Sequence, residues 1–308
     1  MKKRLSVILL FCATIIWGFA FIAQKQASSL SPFTVGALRS LLAAVFIFAI
    51  IPLIDRLMGS RRKYPFDFTP RELVGGLIIG SIMAVATTFQ QYGIIGTDAG
   101  KTAFITGLYV VFVPIMSTFV GKNPSLSSII SIPIAVSGFY LLCIKPNTPI
   151  EISDVLVLIC AILFALHIMT VDHFSPGCDG VRMSFVQFTV AFLINTILAL
   201  IFEGGVDVAG GIKALPSLIF LGIFSSGIAY TLQIVGQKDA DPTVASLILS
   251  MESLFGVIGA AIFLGESMSI REYIGCGILL IAVILAQVDL TSIINKLREQ
   301  RNGNGKSC

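Results

Sequence analysis

The feature that most constrains this chain is a recurrence of apolar runs about twenty residues long, parted by short polar breaks. Coiled as a helix at about 1.5 Å per residue, such a run spans the roughly 30 Å hydrocarbon core of a bilayer. The runs fall at Leu5–Gln24, Pro32–Ile54, Arg71–Ile95, Thr102–Gly121, Leu126–Ile144, Ile152–Asp172, Arg182–Phe202, Lys213–Gly236, Pro242–Leu264 and Ile270–Leu290. Length agrees, since 308 residues accommodate about ten spans with short loops. Only 12% of the residues are charged, against roughly 25% in soluble domains. The fold class that follows is an all-α integral membrane protein of ten transmembrane helices, in contact with lipid along most of its length.

Local chemistry supports the segmentation. Ser31-Pro32 and Asp241-Pro242 place a capping side chain before a first-turn proline, and Thr69-Pro70-Arg71-Glu72 and Ser269-Ile270-Arg271-Glu272 read as capping boxes. Met1-Lys2-Lys3-Arg4 before an apolar run has the outline of a secretory leader. That run holds Trp17 and ends in Gln24-Lys25-Gln26 instead of a small-x-small cleavage site, so it is read as the first span.

Charge fixes the expected orientation. With the N-terminus inside, the inner side receives 15 of the Lys and Arg residues and the outer half 6, which by the positive-inside rule puts both termini in the cytoplasm. The implied location is a plasma membrane, the cytoplasmic membrane of a bacterium. The net charge of +4 sits at helix ends and gives no reason to expect nucleic acid as a partner. Six cysteines lie scattered without a C-x-x-C pair, and two histidines without H-E-x-x-H, so neither a disulfide frame, a metal site nor a cofactor is expected. Catalytic motifs such as G-x-x-x-x-G-K-[ST] and G-x-S-x-G are absent, and no enzyme activity is expected.

The chain reads as two copies of a five-helix unit. Asp98-Ala99-Gly100-Lys101-Thr102, between helices three and four, recurs as Asp239-Ala240-Asp241-Pro242-Thr243 between helices eight and nine. Five is odd, so the second copy is inverted in the membrane, as in secondary transporters. The expected division is residues 1–146, 147–290 and a cytoplasmic tail, 291–308.

Polar residues at depth need a reason. Glu252 lies ten residues past Pro242, about 15 Å into the core, where a carboxylate costs roughly 3 kcal/mol on insertion scales. Two readings stand: a proton-coupling group, or a neutral acid bonded to a neighbouring helix. It shares a face with Ala245, Gly256 and Gly259. Helix eight carries a stripe of Ser226, Tyr230, Gln233 and Gln237; helix three offers Gln91, helix four Thr106 and Tyr109, helix one Trp17 and helix six His167. Together these residues suggest a substrate pathway, and singly each is explained by an interhelical hydrogen bond. Arg39, about 10 Å deep, is read either as snorkelling outward or as an anion contact. Gly76-Leu77-Ile78-Ile79-Gly80 is read as a packing motif within the protomer.

Four stretches carry a family resemblance. They are Ile16-Trp17-Gly18-Phe19-Ala20-Phe21; Gln91-Tyr92-Gly93-Ile94; Ala103-Phe104-Ile105-Thr106-Gly107-Leu108-Tyr109 with Pro114; and Ser246-Leu247-Ile248-Leu249-Ser250-Met251-Glu252-Ser253 leading to Leu264-Gly265-Glu266. In order and spacing they resemble the drug/metabolite transporter superfamily, specifically its two-domain EamA-type members. The resemblance implies a ten-helix inverted-repeat fold and a central cavity lined largely by helices one, three, four, six, eight and nine. Many relatives carry a proline at corresponding points of helices four and nine. Here Pro114 is present and Ser253 stands at the second place, which puts a matching kink in doubt. The expected function is secondary transport, export of a small amino-acid-like or amphiphilic metabolite by alternating access, with Glu252 coupling protons. Alternatives are broad multidrug or cation efflux and a non-transporting membrane scaffold or sensor; a homodimer stays open.

Overall fold

The computed structural model describes residues 2–58, 64, 66–97, 99–144, 151–264 and 269–287. The expected junction near Pro146–Pro149, Glu266 and the tail lie outside these residues. Ten apolar helices run through the described chain: α1 (Lys2–Gln26), α2 (Pro32–Met58), α3 (Pro70–Gly96), α4 (Ala99–Phe119), α5 (Leu126–Cys143), α6 (Ile152–Phe174), α7 (Gly180–Phe202), α8 (Leu215–Gln237), α9 (Pro242–Leu249 continuing as Glu252–Leu264) and α10 (Ile270–Gln287). Seven of them are long and apolar enough to cross a membrane, Leu126–Leu141 and Pro242–Gly256 are shorter apolar helices, and α10 has 18 residues. A six-residue helix, Val208–Lys213, precedes α8.

Several helix starts form as their sequences predict. Thr69 Oγ1 accepts from the Glu72 amide and Glu72 Oε2 accepts from the Thr69 amide, a complete capping box. Ser269 and Glu272 repeat it at α10, and Asp241 accepts from the Thr243 and Val244 amides at α9. The start of α2 is closed differently. Its amides at Phe33 and Thr34 donate to the Glu203 carboxylate at 2.8 and 2.9 Å, so the cap comes from the end of α7. The start of α7 is capped in turn from α3, where Glu72 Oε1 accepts from the Asp179 amide at 2.8 Å.

Large apolar side chains such as Leu57, Phe119, Ile152 and Phe202 lie on the outside, while Thr14, Gln24, Arg39, Gln91, Gln187 and Glu252 are buried. That inversion of the soluble pattern is what a lipid-facing surface around a polar interior requires.

Packing is most extensive between α5 and α10, between α3 and both α6 and α7, between α2 and α7, and between α1 and both α8 and α9. Replacing each helix by the one five places away exchanges α3–α6 with α8–α1 and α4–α6 with α9–α1, and returns α2–α7 and α5–α10 to themselves. Small residues permit the closest approaches. A Cβ on Gly80 would lie 2.5 Å from the Gln187 carbonyl oxygen, and one on Gly76 would meet Val186, so the G-x-x-x-G face of α3 seats α7 within the same chain. Gly18 fits α1 against Phe255 and Gly256 of α9 in the same way.

Three helices depart from regular α geometry. Helix α4 is interrupted at Leu108 and α9 at Ser250 and Met251. The doubt that Ser253 raised about a kink in α9 is answered by serine chemistry: Ser246 and Ser250 hydroxyls donate to carbonyls three residues back, and Ser253 Oγ donates to Ala103 O of α4 at 2.8 Å. Serines that compete for backbone groups loosen a helix without a proline. Helix α8 widens into π-helical turns over Phe220–Tyr230, a geometry that is rare and often found at functional sites.

Candidate functional site

The irregular stretches of α4, α8 and α9 meet at mid-depth around a small cavity of about 30 Å³. Helix α1 contributes Trp17, Ala20, Phe21 and Gln24, and α2 contributes Arg39; Gln90 comes from α3 and Tyr109 from α4. From the second half of the chain come Phe164 and Ile168 of α6, Ser225, Tyr230 and Gln233 of α8, and Leu249 and Glu252 of α9. None of these side chains is more than 8% exposed.

The wall between α1 and α8 is aromatic. Trp17 and Tyr230 rings lie 4.5 Å apart with planes tilted by 53°. Trp17 Nε1 donates to the Ser225 carbonyl at 3.1 Å within the π-helical turns, which fixes the indole on the widened backbone. Arg39 does not snorkel outward; it turns inward, its Nε donating to Ser226 Oγ at 3.0 Å and its Nη2 to Ser225 Oγ at 3.3 Å. On the α9 side Tyr109 Oη donates to Glu252 Oε1 at 3.3 Å. Two amide oxygens of the cavity, Gln24 Oε1 and Gln233 Oε1, are buried without a hydrogen-bond partner among the described residues.

Six of the residues singled out from the sequence line this space: Trp17, Arg39, Tyr109, Tyr230, Gln233 and Glu252. Three stand behind the wall. Gln91 Nε2 donates to the Gln24 carbonyl at 3.4 Å, and Thr106 Oγ1 accepts from Gln90 Nε2 at 3.3 Å. His167 pairs through Nε2 with Gln187 Oε1 at 3.0 Å and sets its ring edgewise to Tyr230. Gln24 and Gln90, which lie on the cavity, carried a weaker signal. Adjacent helical residues point about 100° apart, so choosing Gln90 over Gln91 requires knowing where α1 and α4 pack. Ser225 has no sequence signal, since its part depends on the widened turn of α8.

Toward either end of the helices similar contacts join neighbouring segments. Where α1 finishes, Lys25 Nζ donates to the Ile94 and Thr97 carbonyls at 2.8 and 3.0 Å, and Lys101 pairs with Asp154 at 2.6 Å. At the opposite end Gln237 Nε2 donates to the Ile168 carbonyl at 3.1 Å and Lys238 donates to Cys178 O. There Arg182 bridges Asp55 and Asp179, each at 2.6 Å. The Gln91-to-α1 and Gln237-to-α6 amide contacts are counterparts five helices apart.

The model of the EamA-like transporter family matches residues 4–144 and again 151–287. A protein of Archaeoglobus fulgidus described as an uncharacterized transporter is 28% identical over 93% of this chain and 87% of its own length. One of Methanothermobacter thermautotrophicus with the same description is 22% identical over 92% and 87%. A protein crystal structure superposes with a TM-score of 0.72 at 15% identity, covering 92% of this chain and 96% of the other, and so shares its fold.

Proposed function

The chain belongs to the EamA-like transporter family and is a membrane transporter; on that premise we propose that it exports a small amino-acid-like or amphiphilic metabolite by alternating access. The observation that carries this reading is the buried mid-depth cavity, walled by helices of both matched stretches and holding a carboxyl group. In this reading residues 1–146 and 147–290 are inverted repeats that rock about the cavity, and Glu252 couples the movement to protons. Support for the repeats comes from the exchange symmetry of the packing and the paired contacts toward the two ends. The basic-residue bias of 15 to 6 supports the reading that both termini face the cytoplasm, in the cytoplasmic membrane of a bacterium.

Alternating access needs contacts at each end that form and break in turn. Lys25 on the carbonyls at the end of α3 and Lys238 on Cys178 O meet that need, because each reaches from a helix end to a neighbouring segment by hydrogen bonds to carbonyl oxygens. A substrate between Trp17, Tyr109, Tyr230 and Gln233 would find aromatic faces for an apolar part and an amide for a polar one.

The test is a metabolite comparison of cells with and without the protein, followed by flux of the enriched compound in proteoliposomes under an imposed pH gradient. The Glu252→Gln protein is expected to lose the stimulation by the gradient. Equal proton-dependent flux in that variant would end the coupling role, and no flux of any enriched compound would end the transport reading. Broad cation efflux is favoured by one observation, the carboxyl beside aromatic walls. Its signature is competition of several unrelated lipophilic cations for one site.

A further inference from the structure

We infer that Ser225 is an inserted residue, one that α8 has in excess of α3, and that it is a positioning residue for Trp17. The two contacts that frame it have counterparts in the other half of the chain. A Cβ on Gly76 of α3 would meet Val186 Cβ of α7 at 2.5 Å and the Met183 carbonyl oxygen at 3.2 Å. A Cβ on Gly222 of α8 would meet Leu42 Cβ of α2 at 2.5 Å and the Arg39 carbonyl oxygen at 3.0 Å. One turn further on, Gly80 faces Val190 at 3.0 Å and Gly227 faces Phe46 at 2.8 Å. On the receiving helices the spacings agree, since Arg39, Leu42 and Phe46 repeat the intervals of Met183, Val186 and Val190. On the other two they differ: the glycines of α3 are four residues apart and those of α8 are five.

Five residues of α-helix turn about 140° past a full turn, so a regular α8 that seated Gly222 on α2 would point Gly227 elsewhere. The π-helical turns over Phe220–Tyr230 remove that conflict, because i→i+5 bonds stack residues five apart. Exposure identifies the extra residue. Between its glycines α3 has Leu77 and Ile78 exposed and Ile79 buried, whereas α8 has Ile223 half-buried, Phe224 exposed, and both Ser225 and Ser226 buried. Ser226 precedes Gly227 as Ile79 precedes Gly80, which leaves Ser225 without a counterpart. Its carbonyl accepts from Trp17 Nε1 at 3.1 Å and its hydroxyl from Arg39 Nη2 at 3.3 Å. Where α2 has Arg39, α7 has Met183, whose thioether has no donor to hold such a turn. The second half of the chain thus carries an additional residue, the first half carries the arginine that secures it, and together they set the indole against Tyr230.

The experiment deletes Ser225 and, as a control, Ile79 from the full chain. It follows thermal unfolding in detergent and the emission of Trp17, the only tryptophan of the sequence. Without Ser225 the glycines of α8 are four apart, so a regular α-helix keeps both contacts with α2 and the residues that follow keep their faces. The midpoint should fall by about 4 °C or less, as for one lost hydrogen bond, while the emission maximum of Trp17 shifts because its acceptor is gone. Deleting Ile79, which α3 cannot spare, turns everything after it by about 100° and should lower the midpoint by about 10 °C or more, or prevent folding. Arg39→Met should lower the midpoint of the chain that retains Ser225 and lower it less in the chain that lacks it; Arg39→Lys should cost less than Arg39→Met. Equal losses from the two deletions, failure of the Ser225 deletion to fold, or an unshifted Trp17 emission in it overturns the inference. Both readouts work without a substrate, so flux under a pH gradient bears on the transport reading alone.

Discussion

Lys25 should act as a latch, and its removal should open one end of the cavity in preference to the other. Its ammonium group holds the last carbonyls of α3 from the end of α1, at 2.8 Å to Ile94 O and 3.0 Å to Thr97 O. Hydrogen bonds from a charged group contribute about 1.5–3 kcal/mol each when sheltered. Lys25 is an exposed residue, so water replaces much of what is lost, and about 1 kcal/mol for the pair is a suitable figure. If the bonds exist only while this end is closed, Lys25→Met raises the open population about fivefold. The assay uses a cysteine at position 24, introduced as Gln24→Cys after the native cysteines are replaced, and a membrane-impermeant maleimide applied from the side where α1 ends. Labelling should quicken about fivefold in Lys25→Met and slow in Lys238→Met, which loosens the opposite end. Unchanged rates in both variants, or changes of the same sign, would refute the latch.

Two further predictions concern packing and caps, and both are read by thermal unfolding in detergent. Gly80→Leu should destabilise by roughly 1–3 kcal/mol, because its Cβ would press on the backbone of Gln187; Gly100→Leu, where no atom lies within 4 Å of the new Cβ, should not, and equal losses would refute the contact. Glu203→Gln should cost about 1 kcal/mol, since the charge that accepts from the Phe33 and Thr34 amides is removed; no loss would mean that water caps α2 equally well.

The helices and many of their starts were legible because hydropathy and capping act locally. Thr69, Asp241 and Ser269 cap the helices their sequence positions indicate, and Gly76 and Gly80 mark a packing face wherever a helix is placed against them. The site was legible only as far as residue type decides it. Trp17, Tyr109, Tyr230, Gln233 and Glu252 are costly in lipid, so their inward placement follows from solvation alone. Arg39 had two ways to avoid lipid, and the choice fell to Ser225 and Ser226 on a helix nearly two hundred residues away. The broken α9 was hidden for another reason. Proline is the familiar breaker, while the serine bonds that loosen this helix include one to α4 that no local pattern contains.

The caps that α7 shares with α2 and α3 bear on how the chain is made. A ribosome delivers α2 to the membrane long before residue 203 exists, and until then the Phe33 and Thr34 amides lack the carboxylate that receives them in the finished protein. Glu72 likewise waits for the Asp179 amide. Until α7 arrives, water must serve as the cap at the tip of α2, and the arrival of that one helix completes the contacts with α2 and α3 together.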